Sequence, residues 1–158
     1  METVDRVGER AEERPSVDAL LIRLGQEIYA LPSASVREVT RHRSVTPVPG
    51  APAVLLGIVN QRGTIVTVVD TCLLLGLVRS PVTRATRLVI AAHDDIDMAL
   101  LVDGVLDLVP LAADAVTPPP PALDPARARL IRGIARHDDQ PVILMDLGEL
   151  IGGLRDWS

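Results

Sequence analysis

The sequence predicts a mainly β protein, a barrel or a sandwich. Three observations predict it. Short apolar runs rich in Val, Ile and Leu recur along the chain. Gly, Pro and Asp separate them as turn signals. Long helical segments alternating with strands, which a parallel sheet would require, are absent from the pattern. The runs alone do not choose between barrel and sandwich.

The elements follow in order. Residues 1–17 are charged and poor in apolar side chains, and a disordered extension is expected there. Asp18 to Leu24 reads as a strand, Gly25-Gln26 as a turn and Glu27 to Leu31 as the return strand. Ser33 is placed to cap a short helix through Thr40. Ser44 to Pro52 holds three prolines and a glycine, so it is an extended connector. Leu56 to Asp70 reads as two strands rich in Ile and Val joined by a tight turn. Gly63 can take the positive φ that a short connection with a bulge needs. Arg62 is then at or beside the hairpin tip.

A short helix is expected from Thr71 to Leu75, ended by Gly76. Val78 to Ala85 reads as a loop. Arg87–Ala91 and Ile96–Val102 form a further hairpin, and Val105–Pro110 one more strand. The four prolines at 118–121 make a stiff spacer, too short to link separate domains. Arg129–Ala135 and Pro141–Met145 pair as the last hairpin. Leu147–Ile151 is a short helix stopped by Gly152-Gly153, with residues 153–158 as a tail. The structured domain is expected over residues 18–152.

Composition narrows the function. The 158 residues make one domain, and 47% are apolar, enough for a sizeable core. The formal charge of −5 argues against binding a nucleic-acid backbone. One Tyr, one Trp and no Phe leave no stacking platform for single strands. Every basic side chain is Arg, so neither a Schiff-base lysine nor the lysine of a phosphate-binding loop is available. The lone Cys72 follows Val68-Val69-Asp70 and precedes Leu73-Leu74-Leu75, and reads as a small buried hydrophobe. Met1 to Asp5 lacks the basic start and apolar run of a signal peptide, no run is long and apolar enough to span a bilayer, and a cytoplasmic location is expected.

The stretches Val36-Arg37-Glu38-Val39, Thr46-Pro47-Val48-Pro49-Gly50-Ala51-Pro52, Gly57-Ile58-Val59-Asn60-Gln61-Arg62-Gly63 and Val68-Val69-Asp70 together resemble the CheW family of chemotaxis coupling proteins. Ala99 to Val109, Gly133-Ile134-Ala135 and Val142 to Leu147 continue the resemblance. It implies two five-stranded SH3-like β-barrels sharing a hydrophobic core, with a few short helices. It also implies a non-enzymatic adaptor, without a cofactor, that couples the cytoplasmic tips of chemoreceptors to the regulatory domain of a CheA-type histidine kinase. Such a protein works at receptor arrays on the inner face of the membrane without inserting into it. The resemblance assigns Val36, Glu38, Gly57 and Arg62 to receptor binding and leaves the kinase-facing residues unnamed. Thr67, Thr71 and the Leu20-Leu21-Ile22 run depart from the family pattern. These departures leave room for an adaptor serving surface motility or another output.

Glu38 and Arg62 are the central candidate pair. A carboxylate can hold a guanidinium with two parallel hydrogen bonds and so orient it. Arg41-His42-Arg43 reads as a solvated basic loop. His93-Asp94-Asp95 and His137-Asp138-Asp139 echo each other, and each leads to a later Asp103 or Asp146. Imidazoles and carboxylates suggest a metal-dependent phosphohydrolase or a phospho-accepting switch as the rival reading. Both triplets fall where hairpin turns are expected, and Asp favours such turns. Asp70 ends an apolar strand as a phospho-acceptor would, but is also placed to cap the helix after it.

Overall fold

A computed structural model describes residues 16–112 and 115–155. The expected N-terminal extension lies, for residues 1–15, outside the described residues. Ten strands form two five-stranded sheets. The first half of the chain contributes β1 (Ser16–Leu24), β2 (Glu27–Pro32), β3 (Val36–Arg41), β4 (Leu55–Gln61), β5 (Thr64–Asp70) and helix α1 (Thr71–Leu74). The second half contributes β6 (Arg87–His93), β7 (Ile96–Val102), β8 (Gly104–Ala112), α2 (Pro125–Ala128), β9 (Ile131–His137), β10 (Gln140–Met145) and α3 (Leu147–Arg155).

The sheet orders are β8-β1-β2-β10-β9 and β3-β6-β7-β5-β4. These orders are the same once β1 to β5 are matched in turn with β6 to β10. Each sheet therefore takes its first hairpin from one half of the chain and its other three strands from the other half. The two halves are interlocked. A short motif marks the repeat: Val45-Thr46-Pro47 and Val116-Thr117-Pro118. Thr46 bridges to Ile58, and Thr117 bridges to Ile134. Each bridge helps to close one sheet into a barrel.

Alternation along the strands sorts the core. Leu20, Ile22 and Leu24 of β1 face a cluster shared by the two barrels, while Ala19 and Leu21 fill the first barrel. Met98, Leu100 and Val102 of β7 join the shared cluster, while Ala99 lies inside the second barrel. These strands are covered on both faces, which is why they read as continuous apolar runs. The shared cluster is the largest of the three, and α3 adds Leu147, Leu150, Ile151 and Leu154 to it. Each fully buried Leu or Ile contributes about 1.5–3 kcal/mol, so this seam binds the barrels into one unit.

Four local expectations change. The helix expected from Ser33 to Thr40 is only a single tight turn, Ser33–Ser35, followed by strand β3. Ser33 makes no cap, because the turn's N-terminal flank is Pro32, with no side-chain hydrogen bond. Val36, Val39 and Thr40 instead pair along β6, where β-branched residues pack well. β1 begins at Ser16, two residues early, because Ser16 and Val17 pair with Ala112 and Leu111. The expected bulge does not sit in the central turn but between Leu55 and Gly57. Finally, α3 runs through Gly152-Gly153 to Arg155, because burial of Leu154 offsets the poor helix propensity of glycine.

Candidate functional site

The site begins with the turn between β4 and β5. Arg62 and Gly63 occupy a two-residue connection, with φ of 52° and 85°. Both central residues must be left-handed in this turn, whose twist matches the flanking strands. The Asn60 side-chain oxygen accepts the Gly63 N–H at 2.8 Å and fixes the tip. Arg62 therefore projects from a rigid point, with 78% of its side chain exposed.

Glu38 comes from β3, at the opposite end of the same sheet order. Barrel curvature brings the two edges together. Its carboxylate accepts from Arg62 Nη2 at 2.6 Å and from Nε at 3.0 Å. The bidentate pair expected from the sequence is present. Gln61 Nε2 donates to the same carboxylate at 2.6 Å. Arg43 donates to Gln61 Oε1 and, at 2.9 Å, to the Asn60 carbonyl. The hydrogen bond from Arg62 holds the Glu38 carboxyl below the usual glutamate range, helped by Gln61. The same contact holds the Arg62 guanidinium further toward its charged form.

Gln61 and Arg43 are not picked out by the sequence. Arg43 is exposed in a loop, as expected, and is also a member of this network. Gln61 had a signal. Positions 57, 59 and 61 of β4 alternate inward, and all three are buried. A buried amide on an apolar strand needs partners, and here it has them on both sides.

Gly57 is buried, with φ of 145°. A Cβ there would collide with the Thr46 carbonyl group and come within 2.9 Å of Val45 Cγ1. The chain's own Thr46 segment thus makes a close approach to the backbone at this glycine. Gly57 also lines a groove of about 650 Å³ with Pro49, Pro52, Leu55, Ile96 and Met98. Val36 opens β3 half-buried and packs against the shared core. Of the four receptor-binding candidates, the structure joins Glu38 and Arg62 directly; Gly57 lies about 13 Å along β4 from Gln61 at strand spacing.

The remaining candidates have local roles. Asp70 accepts the Leu73 N–H at 3.1 Å as the cap of α1, and pairs with Arg79 Nε at 2.8 Å. Cys72 is buried, and desolvation, with Asp103 nearby, pushes its thiol up to about 11. Asp94-Asp95 and Asp138-Asp139 are two-residue hairpin turns at positive φ. They cap hairpins of different barrels. Among the described residues, no group of three or more His, Cys, Asp or Glu side chains converges as a metal site would require. Asp103, singled out in the sequence only as following a triplet, joins the barrels' connecting loops. Its Oδ2 accepts the Gly25 N–H at 2.6 Å and the Ser80 hydroxyl at 2.7 Å.

Comparison with known proteins agrees with this fold. The profile of the CheW-like domain matches residues 18–154. A probable chemotaxis protein CheW of Rhizobium etli is 26% identical over 84% of this chain and 86% of its own length. Protein FrzA of Myxococcus xanthus is 27% identical over 89% of each chain. Among solved structures, scaffolding protein TtCheW from Thermoanaerobacter tengcongensis superimposes with a TM-score of 0.77 at 28% identity. That match covers 84% of this chain and 90% of the other.

Proposed function

The chain belongs to the CheW-like domain family, and from that premise we propose that it is a non-enzymatic adaptor in chemotactic signalling. It holds a CheA-type histidine kinase, through the kinase's regulatory domain, beside the cytoplasmic tip of a chemoreceptor. It works in the cytoplasm at receptor arrays beneath the membrane. Among the described residues, no helix is long and apolar enough to cross a membrane. An adaptor needs two patches that bind at once, and no chemistry of its own.

The observation that carries the reading is the oriented, exposed Arg62 guanidinium. Glu38 uses two of its donors and leaves the rest directed outward. Gln61 and Arg43 brace the carboxylate from behind. A surface ion pair adds little to folding, so this arrangement is better suited to recognition. Arg62, Glu38, Gly57 and Val36 form the receptor-facing side in this proposal.

The test is a calorimetric titration of the purified protein with the regulatory domain of the CheA-type kinase from the same genome. Saturable one-to-one binding is expected. Arg62→Ala is expected to spare that contact and weaken capture of the receptor's cytoplasmic fragment. Absence of kinase binding at high micromolar concentration overturns the adaptor reading.

A further inference from the structure

We propose that a cleft at the end of β3 binds a phosphate-class anion. The register sets Arg41, the last residue of β3, directly opposite Arg87, the first residue of β6. Like charges so placed oppose strand pairing unless an anion sits between them. The loop before β6 adds Arg84. These three arginines, His42 and the hydroxyl residues Thr83 and Thr86 line a cleft of about 440 Å³.

Among the described residues, no carboxylate lines this cleft. Elsewhere in this acidic chain Arg37, Arg62, Arg79 and Arg127 pair with carboxylates. Arg41, Arg84 and Arg87 have no such partner among the described residues. One edge of Arg87 is already fixed, since Nη1 donates to the Arg84 carbonyl at 2.7 Å and the Thr86 carbonyl at 2.9 Å. The other edge stays uncommitted. The threonine oxygens accept backbone N–H groups, from Thr83 at 2.8 Å and from Ala85 at 3.1 Å. Their hydroxyl protons remain to be donated.

Three arginines thus line one concave space from a strand end, a strand start and a loop. A divalent tetrahedral anion accepts from several directions at once. A single planar carboxylate is satisfied by one bidentate fork. The chemistry therefore favours phosphate, free or as an ester, over an acidic side chain.

The test is calorimetry of the full chain with inorganic phosphate and with pyrophosphate at constant ionic strength. A second arm is co-sedimentation with phosphatidylglycerol vesicles. Saturable one-site binding is expected, weakened roughly tenfold or more by Arg41→Gln or Arg84→Gln. Both positions are exposed, and circular dichroism checks that the variants fold. Arg136→Gln, which removes the same charge from the other barrel, is expected to bind as the parent does. Vesicle binding lost in the same two variants, without free-phosphate binding, also supports the site and makes its source a lipid headgroup. Lack of binding in both arms overturns the proposal. So does equal loss in Arg136→Gln, or tighter binding of a poly-glutamate peptide than of pyrophosphate.

Discussion

Glu38 and Arg62 stand 24 positions apart in sequence, yet their side chains meet at 2.6 and 3.0 Å across the closing edge of one barrel. Neither strand makes this contact alone. β3 supplies the carboxylate and the β4–β5 turn supplies the guanidinium. Because the pair keeps the Glu38 carboxyl below its ordinary range, it favours the folded state above the unfolded pKa of glutamate. That contribution is lost as the pH falls through the lowered folded value. Receptor-fragment capture is expected to drop over the same acidic window, while Glu38→Gln binds weakly at neutral pH. Pull-down across a pH series checks this, with kinase binding as the internal reference.

Gly57 tests barrel closure. A Cβ there meets the Thr46 carbonyl, and the backbone is in the left-handed region. Gly57→Ala is expected to cost at least about 2 kcal/mol through overpacking and strain. Gly133→Ala is expected to do the same in the other barrel, where Val116 and Thr117 crowd the position. Urea unfolding of the two variants measures both.

Interlocked halves have a consequence for fragments. A chain cut in the loop between Gly76 and Thr86 leaves each half with strands of both sheets but with no complete sheet. Each half alone is expected to be unfolded, and mixing the two should restore β structure. Circular dichroism of the separate and combined fragments decides it.

Tyr29 is the only tyrosine, so its ionisation can be read by absorbance. Burial pushes it up to about 12 from 10.0, with Glu27 adding to the effect and the Arg127 hydrogen bond opposing it. A raised pKa means that the folded chain keeps a proton that the unfolded chain loses. Stability is therefore expected to fall between pH about 10 and about 12. Phenolate absorbance should appear together with unfolding, not before it.

Cys72 is expected to resist alkylation at pH 8. The thiol is buried and its pKa is pushed up to about 11, chiefly by desolvation. The thiolate is the reactive form. Thiol labelling should rise sharply only when urea unfolds the chain.

The hairpins, the Pro-rich connector and the short helix after Asp70 were legible because local rules govern them. Asn60, Asp94 and Asp138 announce turns by side-chain chemistry, and Gly63 by its tolerance of positive φ. The segment at 33–40 misleads for a related reason. Ser33 offers a local helix cap, but pairing of Val36–Arg41 with β6 outweighs it. Arg43 could not be placed from sequence, since its partners belong to the β4 strand end.

By itself the sequence determined the mainly β class, the positions of most strands, the tip at Arg62 and the family resemblance. These rest on side-chain period, turn propensity and motif, which act over a few residues. Only the tertiary structure decided the exchange of strands between the halves, the Gln61–Arg43 brace behind Glu38 and the Arg41–Arg87 cleft. Strand partners are chosen by burial across the whole molecule, because covering both faces of β1 and β7 requires strands from distant regions of the chain.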